Sequence, residues 1–186
     1  MYLSKTFFVL HLLTALGSAV PHSKRTVTSG IQLYAYGTNI SGLPLYYGNS
    51  DGLVYIANNP PSTYSNLTWT VDSTGSLPWN ATISNSSQVG TFYIVNDNST
   101  YASAGFNSQN STTNVTGTTT SGFALFGGQV VFIDDSIYEA QFWAQTTVTA
   151  DVWSLKWNAE GTSQENSTPV VIKKTAPASS SSAGSQ

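Results

Sequence analysis

The sequence of 186 residues contains no cysteine, and its only two histidines, His11 and His22, lie near its start. From Thr26 onward, after the basic pair Lys24-Arg25, arginine and methionine are absent as well. Without imidazole or thiol groups, this part of the chain cannot form a Ser-His-Asp or Cys-His nucleophile. It also lacks the ligands of a tetrahedral N/S zinc site or an imidazole-bound copper site, and we expect no metal and no cofactor.

The first 25 residues have the pattern of a secretory leader. A short charged start is followed by an apolar run of about ten residues and then by small residues at 17–19, which predicts a signal peptide over 1–19 ending at Ala19. The run is too short to cross a bilayer core, which needs about 20 residues. Residues 20–25 are interpreted as a short pro-segment that is cut after Lys24-Arg25, and an uncut charged stretch is the alternative.

Eight Asn-X-Ser/Thr sequons occur in the sequence, and none has proline at the middle position. N-glycosylation of such sites requires passage through the secretory pathway, which the predicted signal peptide provides. The predicted glycosylation sites are Asn39, Asn66, Asn80, Asn85, Asn98, Asn110, Asn114 and Asn166. We therefore expect a eukaryotic, heavily glycosylated protein that is extracellular, in the medium or at the cell wall.

The charge of the expected mature chain limits its partners. From Thr26 onward the chain contains three lysines and nine acidic residues, which gives a net charge of minus six. Phosphate recognition needs a cationic surface, so nucleic acid and anionic membranes are poor partners. Residues 175–186 have the Ser-rich composition of a disordered tail and lack the apolar end that a lipid-anchor signal requires. The oligomeric state is left open.

Short β-type runs, separated by clusters of Gly, Asn, Ser, Thr and Pro, fill the region from 31 to 173. No apolar stripe with a period of 3.6 residues interrupts them, which predicts a single all-β domain over 26–174. We expect an antiparallel β-sandwich of jelly-roll or Ig-like topology, with a closed β-barrel or β-trefoil as the alternative. Strands are predicted at 31–37, 43–47, 53–57, 67–72, 81–84, 90–95, 101–105, 123–126, 129–133, 137–144, 152–157 and 170–173.

Residues 41–46 and 121–126 are similar to each other. Each segment is followed by an apolar hairpin partner and, further on, by a strand that contains tryptophan. Either two similar hairpin units build the domain, or the similarity reflects a hairpin pattern that is common in β proteins.

Alternation inside the predicted strands separates a core face from an outer face. In strand 67–72 the three apolar side chains share one face, and the sequon Asn66 lies with the threonines on the other. In strand 152–157 the two tryptophans share one face, and Lys156 lies on the other, which predicts a solvated strand lysine.

The strand at 137–144 contains the candidate ligand-binding side chains. Glu139, Gln141 and Trp143 are expected on its outer face, while Tyr138, Ala140, Phe142 and Ala144 point inward. An indole beside a carboxylate and an amide suits a sugar ring, which stacks through its apolar face and forms hydrogen bonds through its hydroxyls. Tyr34 and Tyr36 form a second aromatic stripe. The alternative is that these aromatic side chains belong to the core.

Asp134, Asp135 and Glu139 form the densest acidic group and are the candidate catalytic residues if the protein is an enzyme. A glycosidase needs only two carboxylates with separated pKa values. However, Asp134-Asp135-Ser136 also has the composition of a turn between two strands. The same acidic group is also a candidate for binding Ca²⁺, which accepts carboxylate and carbonyl oxygens, but its spacing does not match the D-x-[DN]-x-[DN]-G pattern of a calcium loop.

The segments 41–43, 139–143 and 152–158 resemble a group of uncharacterised small secreted proteins of filamentous fungi. This resemblance implies a fungal, extracellular origin and brings no activity, substrate or catalytic residue with it. Together with the composition, it favours a non-enzymatic secreted glycoprotein that binds carbohydrate or an extracellular protein. A carboxylate-dependent glycan hydrolase and a purely structural wall glycoprotein are the alternatives.

Overall fold

The computed structural model describes residues 26–83, 87–97, 100–107 and 115–178. The predicted signal peptide with Ala19, the pro-segment with Lys24 and Arg25, and the tail from 179 lie outside these ranges. Four of the predicted glycosylation sites lie outside them as well: Asn85, Asn98, Asn110 and Asn114.

Every helix or strand element in the described ranges is a β-strand, which confirms the all-β prediction. The strands are β1 (Val27–Ile31), β2 (Tyr34–Gly37), β3 (Ile40–Gly48), β4 (Val54–Ala57), β5 (Tyr64–Asn66), β6 (Thr68–Asp72), β7 (Asn80–Ile83), β8 (Ser87–Val95), β9 (Tyr101–Ser103), β10 (Gly105–Asn107), β11 (Thr118–Thr119), β12 (Phe123–Phe126), β13 (Gln129–Asp134), β14 (Ile137–Glu139), β15 (Phe142–Thr146), β16 (Val152–Asn158) and β17 (Ser167–Lys173). All their pairings are antiparallel. No helix in this part of the chain is long and apolar enough to span a membrane.

Six strands close into a barrel in the order β2, β3, β4, β16, β15 and β17, and β17 pairs with β2 to complete the ring. The closure joins Tyr34 to Lys173 and Gly37 to Val170. Closing a sheet on itself removes its exposed edges. The closed-barrel alternative is thus confirmed, whereas the sandwich is not, because β17, which contains the predicted strand 170–173, lies between β15 and β2 in the ring.

A second sheet has the strand order β1, β6, β7, β8 and β10, with β11 paired to β8. Strands β12, β13 and β14 form a three-stranded extension of the barrel, which they join through the pair Gln129 and Lys173. The two similar hairpins of the sequence therefore take different places. The pair β3 and β4 belongs to the barrel, while β12 and β13 lie in the extension.

A series of buried aromatic contacts links the second sheet to the barrel. Trp69 contacts Phe92 with ring centroids 5.2 Å apart, and Phe92 contacts Phe123 of the extension at 4.9 Å. Phe123 contacts Phe132, and Phe132 contacts Trp157 of the barrel, each at 5.7 Å. Such pairs contribute about 0.5–1.5 kcal/mol each beyond the area they bury. These aromatic side chains thus form one continuous series of contacts from the second sheet through the extension to the barrel.

The strand predicted at 137–144 is interrupted. Residues 137–139 form β14 and pair with β13, whereas β15 begins at Phe142 and pairs with β16 and β17. The predicted alternation across this region is therefore wrong, because its two halves join different strands. Tyr138 is 59% exposed although it was expected to point inward, while Phe142 is buried as predicted.

Asp72 organises the loop between β6 and β7 through its buried carboxylate. The carboxylate accepts hydrogen bonds from the Ser76 and Leu77 N–H groups at 2.8 and 2.9 Å and from the Thr74 hydroxyl at 2.9 Å. The Asp72 carbonyl accepts a further bond from the Trp79 indole N–H at 2.9 Å. Burial raises the pKa of the Asp72 carboxyl, but the hydrogen bonds, that of Leu77 first, outweigh it and the net pKa lies below the ordinary value.

Replacing Phe92 with alanine is expected to lower the free energy of unfolding by about 3–5 kcal/mol, because the cavity would interrupt the aromatic series. Phe126→Ala is the matched control. Its ring is 68% exposed, and the change is expected to stay within about 0.5 kcal/mol. Urea denaturation of both variants measures the difference, and equal losses would contradict this account of the core.

Replacing Asp72 with alanine is expected to lower the free energy of unfolding by about 2–4 kcal/mol, because it removes the carboxylate that accepts hydrogen bonds from the part-buried N–H groups of Ser76 and Leu77. Because the pKa of Asp72 is lowered, its contribution to stability depends on pH. The stability that Asp72 contributes is present above its ordinary pKa of about 3.8 and is lost as the pH falls through the lower folded-state value. The asparagine side chain of the Asp72→Asn variant does not ionise. The difference in the free energy of unfolding between wild type and this variant should therefore become smaller in acid. Chemical denaturation at several pH values measures this difference, and a difference that becomes larger in acid would contradict the lowered pKa.

Candidate functional site

A row of four paired residues crosses the outer face of the barrel and its extension. Tyr34 pairs with Lys173, Lys173 with Gln129, and Gln129 with Phe126. Directly paired residues of antiparallel strands project to the same face, so the four side chains lie side by side. With strands about 4.8 Å apart, the row spans about 14 Å.

Aromatic rings flank the two ends of this row. At one end, Phe126 and Tyr138 contact each other with centroids 5.5 Å apart and ring planes tilted by 47°. Both rings are more than half exposed. At the other end, the Lys173 Nζ lies 5.4 Å from the centroid of the Tyr36 ring, within the range of a cation–π interaction.

Three members of the row, Phe126, Gln129 and Lys173, line an open groove of about 700 Å³, whereas Tyr34 lies outside its lining. We call this site the aromatic groove and define it by Tyr36, Phe126, Gln129, Lys173 and the adjoining Tyr138. Its wall is formed by residues 175–178, the first part of the predicted tail. A smaller cavity of about 310 Å³ continues past Phe126 and Tyr138.

Three contacts hold the wall and the adjoining Lys174 against the barrel and its extension. The Tyr36 hydroxyl donates to the Thr175 carbonyl at 2.7 Å, and the Lys174 N–H donates to the Gly128 carbonyl at 3.0 Å. Pro177 lies so close to Gly42 that a Cβ at residue 42 would be 2.6 Å from the proline Cβ. Glycine is therefore required where the wall crosses β3.

Of the predicted ligand-binding residues, Tyr34 and Tyr36 do lie on the outer face of β2, both half-buried. Tyr36 lines the aromatic groove. The Tyr34 hydroxyl instead donates to Gln32 Oε1 at 2.7 Å. The pattern of residues did not single out Phe126, which precedes the Gly127-Gly128 turn. Its exposure depends on the position of β12 at the margin of the extension.

Glu139, Gln141 and Trp143 do not share one strand face. Glu139 belongs to β14, Trp143 to β15, and Gln141 lies in the break between them. Trp143 is only 8% exposed, so its indole belongs to the core rather than to an open platform. The expected grouping of these three side chains is therefore wrong, because the interruption of the strand separates them.

The acidic group is arranged around a tight turn. Asp135 and Ser136 have φ angles of 43° and 71° and connect β13 to β14, so the turn interpretation is confirmed. The pairing register places Asp134 and Glu139 on one face, opposite to that of Tyr138. Burial, and then the charge of Asp134, raise the pKa of Glu139. Within the described ranges, no group of three or more potential metal ligands occurs.

Lys156 is not the solvated lysine that the alternation predicted. Its Nζ donates to the Ser103 hydroxyl at 2.7 Å across the β9 and β16 pair and lies 5.8 Å from the Tyr101 ring centroid. Burial lowers the pKa of its amine. A serine hydroxyl beside a lysine is the pair used by serine–lysine nucleophiles, which require no histidine. The alternation pattern missed this contact because β9 is distant in sequence.

The described sequons lie at the surface to different degrees. Asn39, Asn66 and Asn166 are exposed. Asn80 is half-buried, and its side-chain oxygen accepts a hydrogen bond from Thr91 at 3.1 Å.

Comparison of the chain with protein-family models, curated proteins and solved structures found no match. The chemistry of the aromatic groove is therefore inferred from its own side chains.

Proposed function

We propose that this protein is a secreted, N-glycosylated, non-enzymatic β-barrel protein of the fungal cell wall or extracellular space that binds a neutral glycan chain in the aromatic groove. The exposure of Phe126 carries this proposal. Among the phenylalanines that the structure describes, it is the one whose ring is exposed, and it contacts the exposed Tyr138. Exposed apolar rings placed together at a groove are typical of binding surfaces.

The composition of the groove favours a sugar chain over an apolar ligand. The two exposed rings provide surfaces on which the apolar faces of sugars can stack. Between them and Tyr36, the Gln129 amide and the Lys173 ammonium provide hydrogen-bond donors, and Gln129 also provides an acceptor. A groove rather than an enclosed cavity suits a chain that continues beyond the site.

The charge of the protein favours a neutral glycan over an anionic one. The expected mature chain carries a net charge of minus six, which repels polyanions. The groove contributes one cation, Lys173, and that ammonium already lies over the Tyr36 ring. Hydrogen bonding by Gln129 and stacking by the aromatic rings therefore dominate recognition.

Loss of either exposed ring is expected to weaken glycan binding roughly tenfold, which corresponds to about 1.4 kcal/mol. The experiment compares Phe126→Ala and Tyr138→Ala with wild type in pull-down and calorimetry against insoluble β-glucan, chitin and mannan. Val148→Ala is the matched control, because Val148 is a fully exposed apolar residue outside the groove, and it should bind like wild type.

Unchanged binding by both ring variants would overturn the assignment to the aromatic groove. A wild-type protein that binds none of the three glycans would overturn carbohydrate binding itself. It would then favour a protein partner or a purely structural wall role.

The raised pKa of Glu139 supports a second candidate function, carboxylate-dependent glycan hydrolysis. Glu139 and Asp134 lie on one face of the β13–β14 hairpin, and burial together with the charge of Asp134 raises the pKa of Glu139, which gives the two carboxyls the different environments that a glycosidase uses. Glu139→Gln and Asp134→Asn should then abolish release of reducing sugar, while Phe126→Ala should not change the chemical step. No sugar release by wild type would reject hydrolysis and leave the binding proposal intact.

A further inference from the structure

A separate cavity, of about 370 Å³, opens at one end of the barrel. Trp153, Ala144 and Thr168 line it. Trp153 pairs with Ile56, which is fully buried inside the barrel, and Ala144 pairs with Thr168. The cavity is thus the mouth of the barrel, a position where ligands of β-barrels commonly bind.

The lining of the mouth contains no charged side chain. Trp153 provides an indole, and Thr146, Thr168 and Ser167 provide hydroxyl groups. All five tryptophans lie in the described ranges, and Trp153 is the one among them that is not buried, since the other four are at most 8% exposed. An indole surrounded by hydroxyl groups suits a neutral sugar rather than an ion.

Two of the predicted glycosylation sites stand at the rim of this mouth. Asn39 lies in the turn between β2 and β3, and Asn166 lies directly before β17. Both line the cavity, both are exposed, and both have positive φ angles, 61° and 53°. Asparagine is among the few residues that adopt this backbone conformation readily. Residues far apart in sequence are therefore brought to one opening.

Asn166 is connected to Trp153 through one intervening strand. The Thr146 N–H donates to the Asn166 carbonyl at 3.0 Å, and Thr146 pairs directly with Trp153. Two strand spacings correspond to about 10 Å between the backbones of Asn166 and Trp153. The first sugars of an N-linked glycan are long enough to bridge this distance.

We propose that the N-linked glycan on Asn166 folds back over the barrel mouth and packs its first sugars against Trp153. The glycan then shields the partly exposed indole and closes the barrel end, and the aromatic groove remains the surface for external ligands. This inference rests on the secretory route in the proposed function.

The test uses protein secreted from a eukaryotic host, with glycan occupancy measured by mass spectrometry. Thr168→Val removes the Asn166 sequon and keeps the shape of the side chain, while Thr168→Ser keeps the sequon. Acrylamide quenching of tryptophan fluorescence reports mainly on Trp153, because the other tryptophans are buried. We expect the quenching constant to rise in Thr168→Val and to stay at the wild-type value in Thr168→Ser and in Asn66→Gln.

Each other outcome counts against the inference. An equal quenching constant in Thr168→Val and Thr168→Ser, with Asn166 occupied in wild type, would overturn it. A rise in Asn39→Gln alone would overturn the assignment to Asn166. If mass spectrometry finds a glycan on Asn66 and none on Asn166, this inference is wrong and the proposed function is unaffected. If the protein carries no glycan at all, the proposed secretory route is wrong as well.

Discussion

The fold depends on the aromatic series that runs from Trp69 through Phe92, Phe123 and Phe132 to Trp157. The chain has no cysteine, so no disulfide joins the barrel to the second sheet. Ring-to-ring contacts connect them instead, and large aromatic side chains bury enough apolar area to do so. Since Phe123 and Phe132 lie in the extension, the same contacts also position the strands that carry the aromatic groove.

Closure of the barrel by β2 and β17 creates both surfaces for which we propose a function. On the outer face, the closure places β2 and β17 side by side next to the extension and brings Tyr36 and Lys173 to the aromatic groove. At the barrel end, it brings the β2–β3 turn with Asn39 to the start of β17 with Asn166. A sandwich with β17 at an open edge would have separated these residues. The two sites are therefore consequences of one pairing.

Patterns in the sequence correctly predicted the features that depend only on neighbouring residues, such as the face of a strand residue or the position of a turn. Alternation in 67–72 correctly assigned Trp69 to the core, since successive side chains of a strand point to opposite faces. The Asp135-Ser136 turn was likewise foreseen from its composition. Alternation failed at 137–144, where the chain passes from one strand neighbour to another and the face of each residue is set by its new partner. It also failed at Lys156, whose partner Ser103 belongs to a strand distant in sequence.

The sequence by itself determined the all-β class, the absence of imidazole and thiol chemistry after residue 25, and the positions of the sequons, because each follows from residue identity and local spacing. Only the tertiary structure decided that the strands close into a barrel and that Phe126, Tyr138 and Tyr36 border one groove. It alone placed Asn39 and Asn166 around Trp153. These arrangements arise from pairings between residues far apart in the chain, and the free energy of such pairings depends on the whole packed core.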